Sequence, residues 1–143
     1  MANGVYNRGK QLMMKGLDLE TANLYVLLVK DDYTFNANNN HISDLVANQI
    51  TVEGYAHGGA ALTSLAVVED DTNGFAFLFA ANLTFEQLAA GQNVGGAVLY
   101  VSTGVNTTSQ VVSFYDVTNT PTNGGDISIN WAANSSGAVL RLA

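Results

Sequence analysis

The hydrophobic pattern of this chain is short-period. Leu24-Tyr25-Val26-Leu27-Leu28-Val29 is an unbroken apolar run that stops at Lys30-Asp31-Asp32. It is too short for a membrane span and rich in β-formers, so it predicts a strand buried on both faces. Alternating or short apolar runs predict further strands at 51–56, 62–68, 75–81, 96–102, 111–117, 127–132 and 138–142. In 127–132, Ile127, Ile129 and Trp131 share one face and Ser128 and Asn130 the other, which makes Trp131 a core residue. Phe75, Phe77 and Phe79 form an aromatic ladder backed by Ala76, Leu78 and Ala80, so that strand too is expected to be covered on both sides.

The punctuation predicts the rest. Asn3 is placed to cap a helix over 4–15, with Val5, Leu12 and Met13 near one face and Gly16 closing it. Gly9 in its middle weakens that helix, which therefore needs outside support. A helical turn is expected at 42–47, and Thr84-x-x-Gln87 reads as a capping box opening one or two turns that end at Gly91. Residues 36–40 read as a polar loop, Asn73-Gly74 and Asn123-Gly124-Gly125-Asp126 as hairpin turns, and Pro121 as a loop residue. The sum is a mainly β fold: an antiparallel β-sandwich or jelly-roll-like barrel of about eight strands with a short N-terminal helix. It is expected to form a single domain over 1–143, with 1–17 as an N-terminal anchoring helix or arm, and no internal repeat or linker is visible.

Composition sharpens this. The chain has 143 residues, 48% hydrophobic but only 12% charged, with Asn, Thr, Ser and Gly in place of charge, which excludes a coiled coil. Without cysteine there is no disulfide framework, thiolate zinc site, iron–sulfur cluster or cysteine nucleophile. The net charge is −7, and its distribution matters more than its size. Arg8, Lys10, Lys15 and Lys30 lie near the start and Arg141 near the end; between Lys30 and Arg141 every charged side chain is acidic. A body without cations does not neutralise phosphates, so neither nucleic acid nor an anionic membrane is an expected partner. The opening Met1-Ala2-Asn3-Gly4-Val5-Tyr6 lacks a signal-peptide pattern, so the glycosylation-like triplets at Asn82, Asn106 and Asn134 read as accidents of composition.

Catalytic chemistry finds little to stand on. His41 has Asp44 three residues on, and His57 precedes Gly58-Gly59, but no Gly-x-Ser-x-Gly elbow accompanies either. Asp31-Asp32 and Glu69-Asp70-Asp71 lack the calcium-loop spacing and read as solvated turn residues. Gly58-Gly59 and Gly95-Gly96 lack the lysine of a phosphate loop. The expectation is a non-enzymatic protein with no cofactor and no metal.

The order of segments carries a resemblance. Gly4-Val5-Tyr6-Asn7-Arg8-Gly9-Lys10 opens the chain, and Leu24–Val29 runs into Lys30-Asp31-Asp32-Tyr33-Thr34-Phe35-Asn36, His41 and Ser43-Asp44. Then come Gly54-Tyr55-Ala56-His57-Gly58-Gly59, Glu69-Asp70-Asp71-Thr72-Asn73, Ala97-Val98-Leu99-Tyr100 and Gly137-Ala138-Val139-Leu140-Arg141-Leu142. Across nearly its whole length the chain resembles the minor capsid, cement or decoration proteins of tailed bacteriophages. The resemblance implies a virion structural protein, made in the host cytoplasm and bound to the outer surface of the head. There it would bridge major capsid protein subunits, as a homotrimer of the kind such proteins form at three-fold positions. A tail, neck or fibre-associated structural protein shares the composition, and a carbohydrate-binding β-sandwich module is a further alternative.

A grip on a partner is expected from the N-terminal segment. Arg8, Lys10 and Lys15 stand apart from the acidic body, and Val5, Tyr6, Leu12, Met13 and Met14 sit in a helix too weak to stand alone. Both features suit docking on an acidic, partly apolar surface of a shell or of a neighbouring subunit; the alternative is a helix that packs on its own β-body.

Overall fold

The computed structural model describes residues 3–131 and 138–142. In chain order the elements are β1 (Gly4–Val5), α1 (Asn7–Met14), β2 (Leu24–Lys30), a 3₁₀ helix (Ile42–Asn48), β3 (Ala60–Ala61), β4 (Ala66–Asp70) and β5 (Phe75–Phe79). They continue with β6 (Leu83–Phe85), β7 (Asn93–Val101), β8 (Gln110–Pro121), β9 (Ile127–Ile129) and β10 (Leu140–Leu142). Every pairing between these strands is antiparallel. The fold is mainly β with one short N-terminal helix, and the described residues hold ten strands.

A five-stranded sheet in the order β1-β8-β7-β2-β3 faces a three-stranded sheet, β10-β5-β4, and a two-stranded one, β6-β9. Leu24, Val26 and Leu28 of β2, with Ala97 and Leu99 of β7, pack against Leu78, Leu83, Phe85, Ile127, Ile129 and Leu140 of the smaller sheets. On the opposite face Leu27, Val29, Val98 and Tyr100 meet Tyr6, Tyr33, Ile42 and Leu45. Segment 31–48 thus covers the second face, and β2 is buried on both sides as its unbroken apolar run predicts.

Several expectations need correction. Segment 4–15 does not begin as a helix. Gly4 and Val5 pair with Phe114 and Ser113 of β8, and Asn3 Oδ1 accepts the Asp116 N–H rather than capping. The helix starts after an extended Tyr6 and stops where Gly16 takes φ +95°, as expected. Segment 51–56 is a turn around Gly54 at φ +92°. The outer edge of β2 there is satisfied by other means: Ile50 N–H reaches Leu28 O, and Tyr55 Oη accepts the Leu28 N–H.

Segment 62–68 is strand only from Ala66, because Ser64 sits at φ +55°. The Thr84–Gln87 box caps no helix. Thr84 lies in β6 with its hydroxyl against Ser128, and Gln87 takes φ +52° while its N–H donates to the Asp126 carboxylate. Pro121 is the last residue of β8, and 123–126 links β8 to a strand of another sheet rather than turning a hairpin. The Asn73-Gly74 hairpin between β4 and β5 forms, with Gly74 at φ +76°. Phe77 and Leu78 are buried but Ala76 is exposed, so β5 is covered on both faces only at its centre. Ile127, Ile129 and Trp131 are buried on one face as expected. Ala132, at the end of that expected strand, and the Asn134 triplet lie outside the described residues.

Candidate functional site

The N-terminal segment is stitched into the body from two sides. Between Leu99 and Tyr100 of β7 the pairing with β8 slips by one residue, from Ser113 to Val111. The Val112 carbonyl at this bulge accepts the Tyr6 N–H at 3.0 Å. The same carbonyl lies so close to α1 that a Cβ on Gly9 would sit 2.2 Å from it. Gly9 is therefore the close-approach point of helix and sheet, and the residue that weakens α1 in isolation is what lets it dock. The Tyr6 ring is fully buried, 4.9 Å from Phe35, and its hydroxyl donates to Tyr33 Oη at 2.8 Å, which in turn donates to Asn39. Burial, with the mutual hydrogen bond, drives the Tyr6 hydroxyl far above the ordinary tyrosine range.

The residues expected to grip a partner divide accordingly. Tyr6 is core, and Val5, Leu12 and Met13 are half-buried against the chain's own core. Arg8 is half-buried, its guanidinium donating to Gln110 Oε1 at 3.0 Å. Lys10 and Lys15 face solvent and make no ion pair with a described residue. Between them Met14, expected with Leu12 and Met13 among the apolar side chains of the segment, is 89% exposed. The solvent face of α1 is thus Lys10, Gln11, Met14 and Lys15, a cationic strip with an apolar knob.

Two further surfaces were not legible beforehand. A groove of about 590 Å³ opens between the 53–60 turn and the 84–89 segment, lined by Glu53, Ala56, Ala60, Phe85, Glu86 and Ala89 among others. The walls are pinned together: Ala89 N–H donates to Glu53 O, and a Cβ on Gly54 would sit 2.4 Å from Gln87 O. Two exposed glutamates from distant parts of the chain therefore share one recess, and none of its lining residues is cationic. No local motif signals this, because it depends on two positive-φ turns meeting in space. The second surface is the flank of the three-stranded sheet, where Val67, Val68 and Leu142 remain partly exposed. A shallow apolar crevice there runs between Leu19, Val67, Ala76 and Leu142. Edge strand β4 carries neither lysine nor proline, and its charges, Glu69 and Asp70, are confined to its hairpin end.

The histidines and carboxylates have local roles. The Asp44 carboxylate accepts the N–H groups of Asn40 and His41 at the start of the 3₁₀ helix, and these bonds hold its pKa below the ordinary range. His57 shares a cleft of about 170 Å³ with Tyr100, Ser102 and Ser109, and no carboxylate lines that cleft among the described residues. Beside it the buried Gln49 side chain accepts hydrogen bonds from Tyr55 Oη and Gly58 N. Asp31 accepts from Asn93 and Asp32 from Asn48, while Asp70 is held by the side chain and backbone of Asn73, which lower its pKa. Comparison with protein-family models, with curated proteins and with solved structures finds no match for this chain.

Proposed function

We propose that this chain is a non-enzymatic structural protein of a tailed-phage particle. In this reading it is a cement or decoration protein on the outer surface of the head, bridges major capsid protein subunits and assembles as a homotrimer. The observation that carries the reading is a pair of adhesive patches on an acidic body. The β-body bears a cationic strip with an exposed methionine and without ion-pair partners among the described residues, and a partly exposed apolar flank. Exposed apolar surface of this kind marks contact sites. Val5, Tyr6, Leu12 and Met13 hold α1 to the body, and Lys10, Met14 and Lys15 face an acidic, partly apolar surface of the shell or of a neighbouring copy. The segmental resemblance to phage decoration proteins supplies the shell as partner.

The test is co-sedimentation of the purified protein with emptied heads, and separately with tails, of the phage that encodes it. Saturable binding to heads alone is the expected result. Binding to tails alone would move the protein to the tail, and binding to neither would overturn the reading.

A further inference from the structure

We infer that the solvent face of α1 in one copy docks into the Glu53–Glu86 groove of a second copy of this chain. The inference rests on the self-assembly in the proposal above and not on the identity of the shell.

Two unmatched surfaces lie on the same molecule, and each has what the other lacks. The α1 face offers Lys10 and Lys15 without ion-pair partners among the described residues, and Met14 projects between them at 89% exposure. The helix carries no acidic residue to neutralise them. The groove offers exposed Glu53 and Glu86 on walls pinned together, so two like charges line one recess without a cation in the lining. Ala60, Phe85 and Ala89 line the same recess of about 590 Å³ and offer the methionine apolar surface. Both surfaces are built on fixed backbone. Gly9 presses α1 onto β8, and the Ala89–Glu53 hydrogen bond ties the groove walls, so little ordering is needed on contact.

Charge also selects the orientation. Copies carrying a net charge of −7 repel in most approaches. The approach that brings the cationic strip to the acidic groove is attractive. Because the two patches differ, the contact is head-to-tail, and a closed ring such as the proposed trimer uses each patch once.

The experiment is sedimentation equilibrium of the full chain and three variants: K10E/K15E, E53K/E86K and the quadruple combination. All four positions are exposed, and a thermal melt on each variant verifies the fold. The native chain should self-associate. Each double reversal should weaken association by roughly tenfold or more, and the quadruple variant, with both signs exchanged, should recover most of it. A native chain that stays monomeric, or a quadruple variant no better than the doubles, would overturn the inference. A second measurement needs no variant. Zero-length carbodiimide cross-linking of a mixture of isotope-labelled and unlabelled protein should join Lys10 or Lys15 of one copy to Glu53 or Glu86 of another. Cross-links confined to single chains would contradict the contact. A protein that is monomeric in solution yet binds heads defeats this contact alone; one that self-associates by charge exchange yet binds no head defeats the shell reading alone.

Discussion

Replacing Gly9 by alanine should destabilise the protein, although in an isolated helix the same change is favourable by about 1 kcal/mol. The added Cβ would meet the Val112 carbonyl at 2.2 Å, and backbone there moves only at the expense of the Tyr6–Val112 hydrogen bond. A net loss of about 1–3 kcal/mol in thermal or denaturant unfolding is expected from such overpacking. A more stable Gly9→Ala variant would show that helix and sheet are not in this contact. Tyr6→Phe is the gentler probe. It removes the hydroxyl that donates to Tyr33 while Tyr33 keeps Asn39, so a loss of about 1 kcal/mol is expected. Neither effect is legible in the sequence. The residue string shows a glycine inside a helix; only the bulge at Val112 explains why no larger residue fits.

At the scale of elements, what could be read was what depends on local periodicity. The run 24–29 and the alternation of Ile127, Ile129 and Trp131 predict their burial because the pattern itself fixes which faces are covered. The helical turn expected at 42–47 is present as the 3₁₀ helix Ile42–Asn48. The failures share one cause. Segment 84–87 holds both a capping box and the alternation Leu83-Thr84-Phe85. Pairing of Leu83 with Ile129 and of Phe85 with Ile127 decides in favour of strand, which no local signal reveals. Gly4 and Val5 likewise become an edge strand by pairing with Phe114 and Ser113, and Gly4 leaves room for the Phe35 ring, which lies 2.6 Å from where a Cβ would be. The N-terminal segment packs on its own β-body, the alternative kept beside the anchoring arm. Deleting residues 1–17 removes β1, α1 and the buried Tyr6 ring, which exposes the aromatic cluster of Tyr33, Phe35 and Phe114. Loss of dispersed amide resonances in a nuclear magnetic resonance spectrum is the expected outcome. A truncated chain with a native-like spectrum would restore the arm.

For the whole molecule, the titrating groups define a stability plateau. Asp44 and Asp70 have folded pKa values below the ordinary range because backbone and side-chain N–H groups favour their charged forms. Their contribution is complete above the unfolded carboxylate pKa of about 3.9 and is lost as pH falls through the lower folded values. Tyr6, Tyr33, Tyr55 and Tyr100 are all raised, chiefly by burial, which favours the neutral hydroxyl in the fold. Their contribution is complete below the unfolded value of about 10 and is lost as pH climbs above it. Tyrosinate absorbance from these residues should therefore appear together with loss of the far-ultraviolet strand signal. Full tyrosine titration near pH 10 with the fold intact would contradict their burial. The groove belongs to this scale too, since Glu53 and Glu86 come to line one recess only when the 53–60 turn and the 84–89 segment are brought together.

As proposed, the acidic β-body, with its cationic helix face and apolar flank, serves as a bridge on the outside of a phage head. Electron cryo-microscopy of the intact particle tests it most directly. Density matching this fold is expected on the outer surface of the head, spanning adjacent capsid subunits, with α1 in contact with a neighbouring acidic surface. Density for this chain inside the head, on the tail, or nowhere on the particle would contradict it.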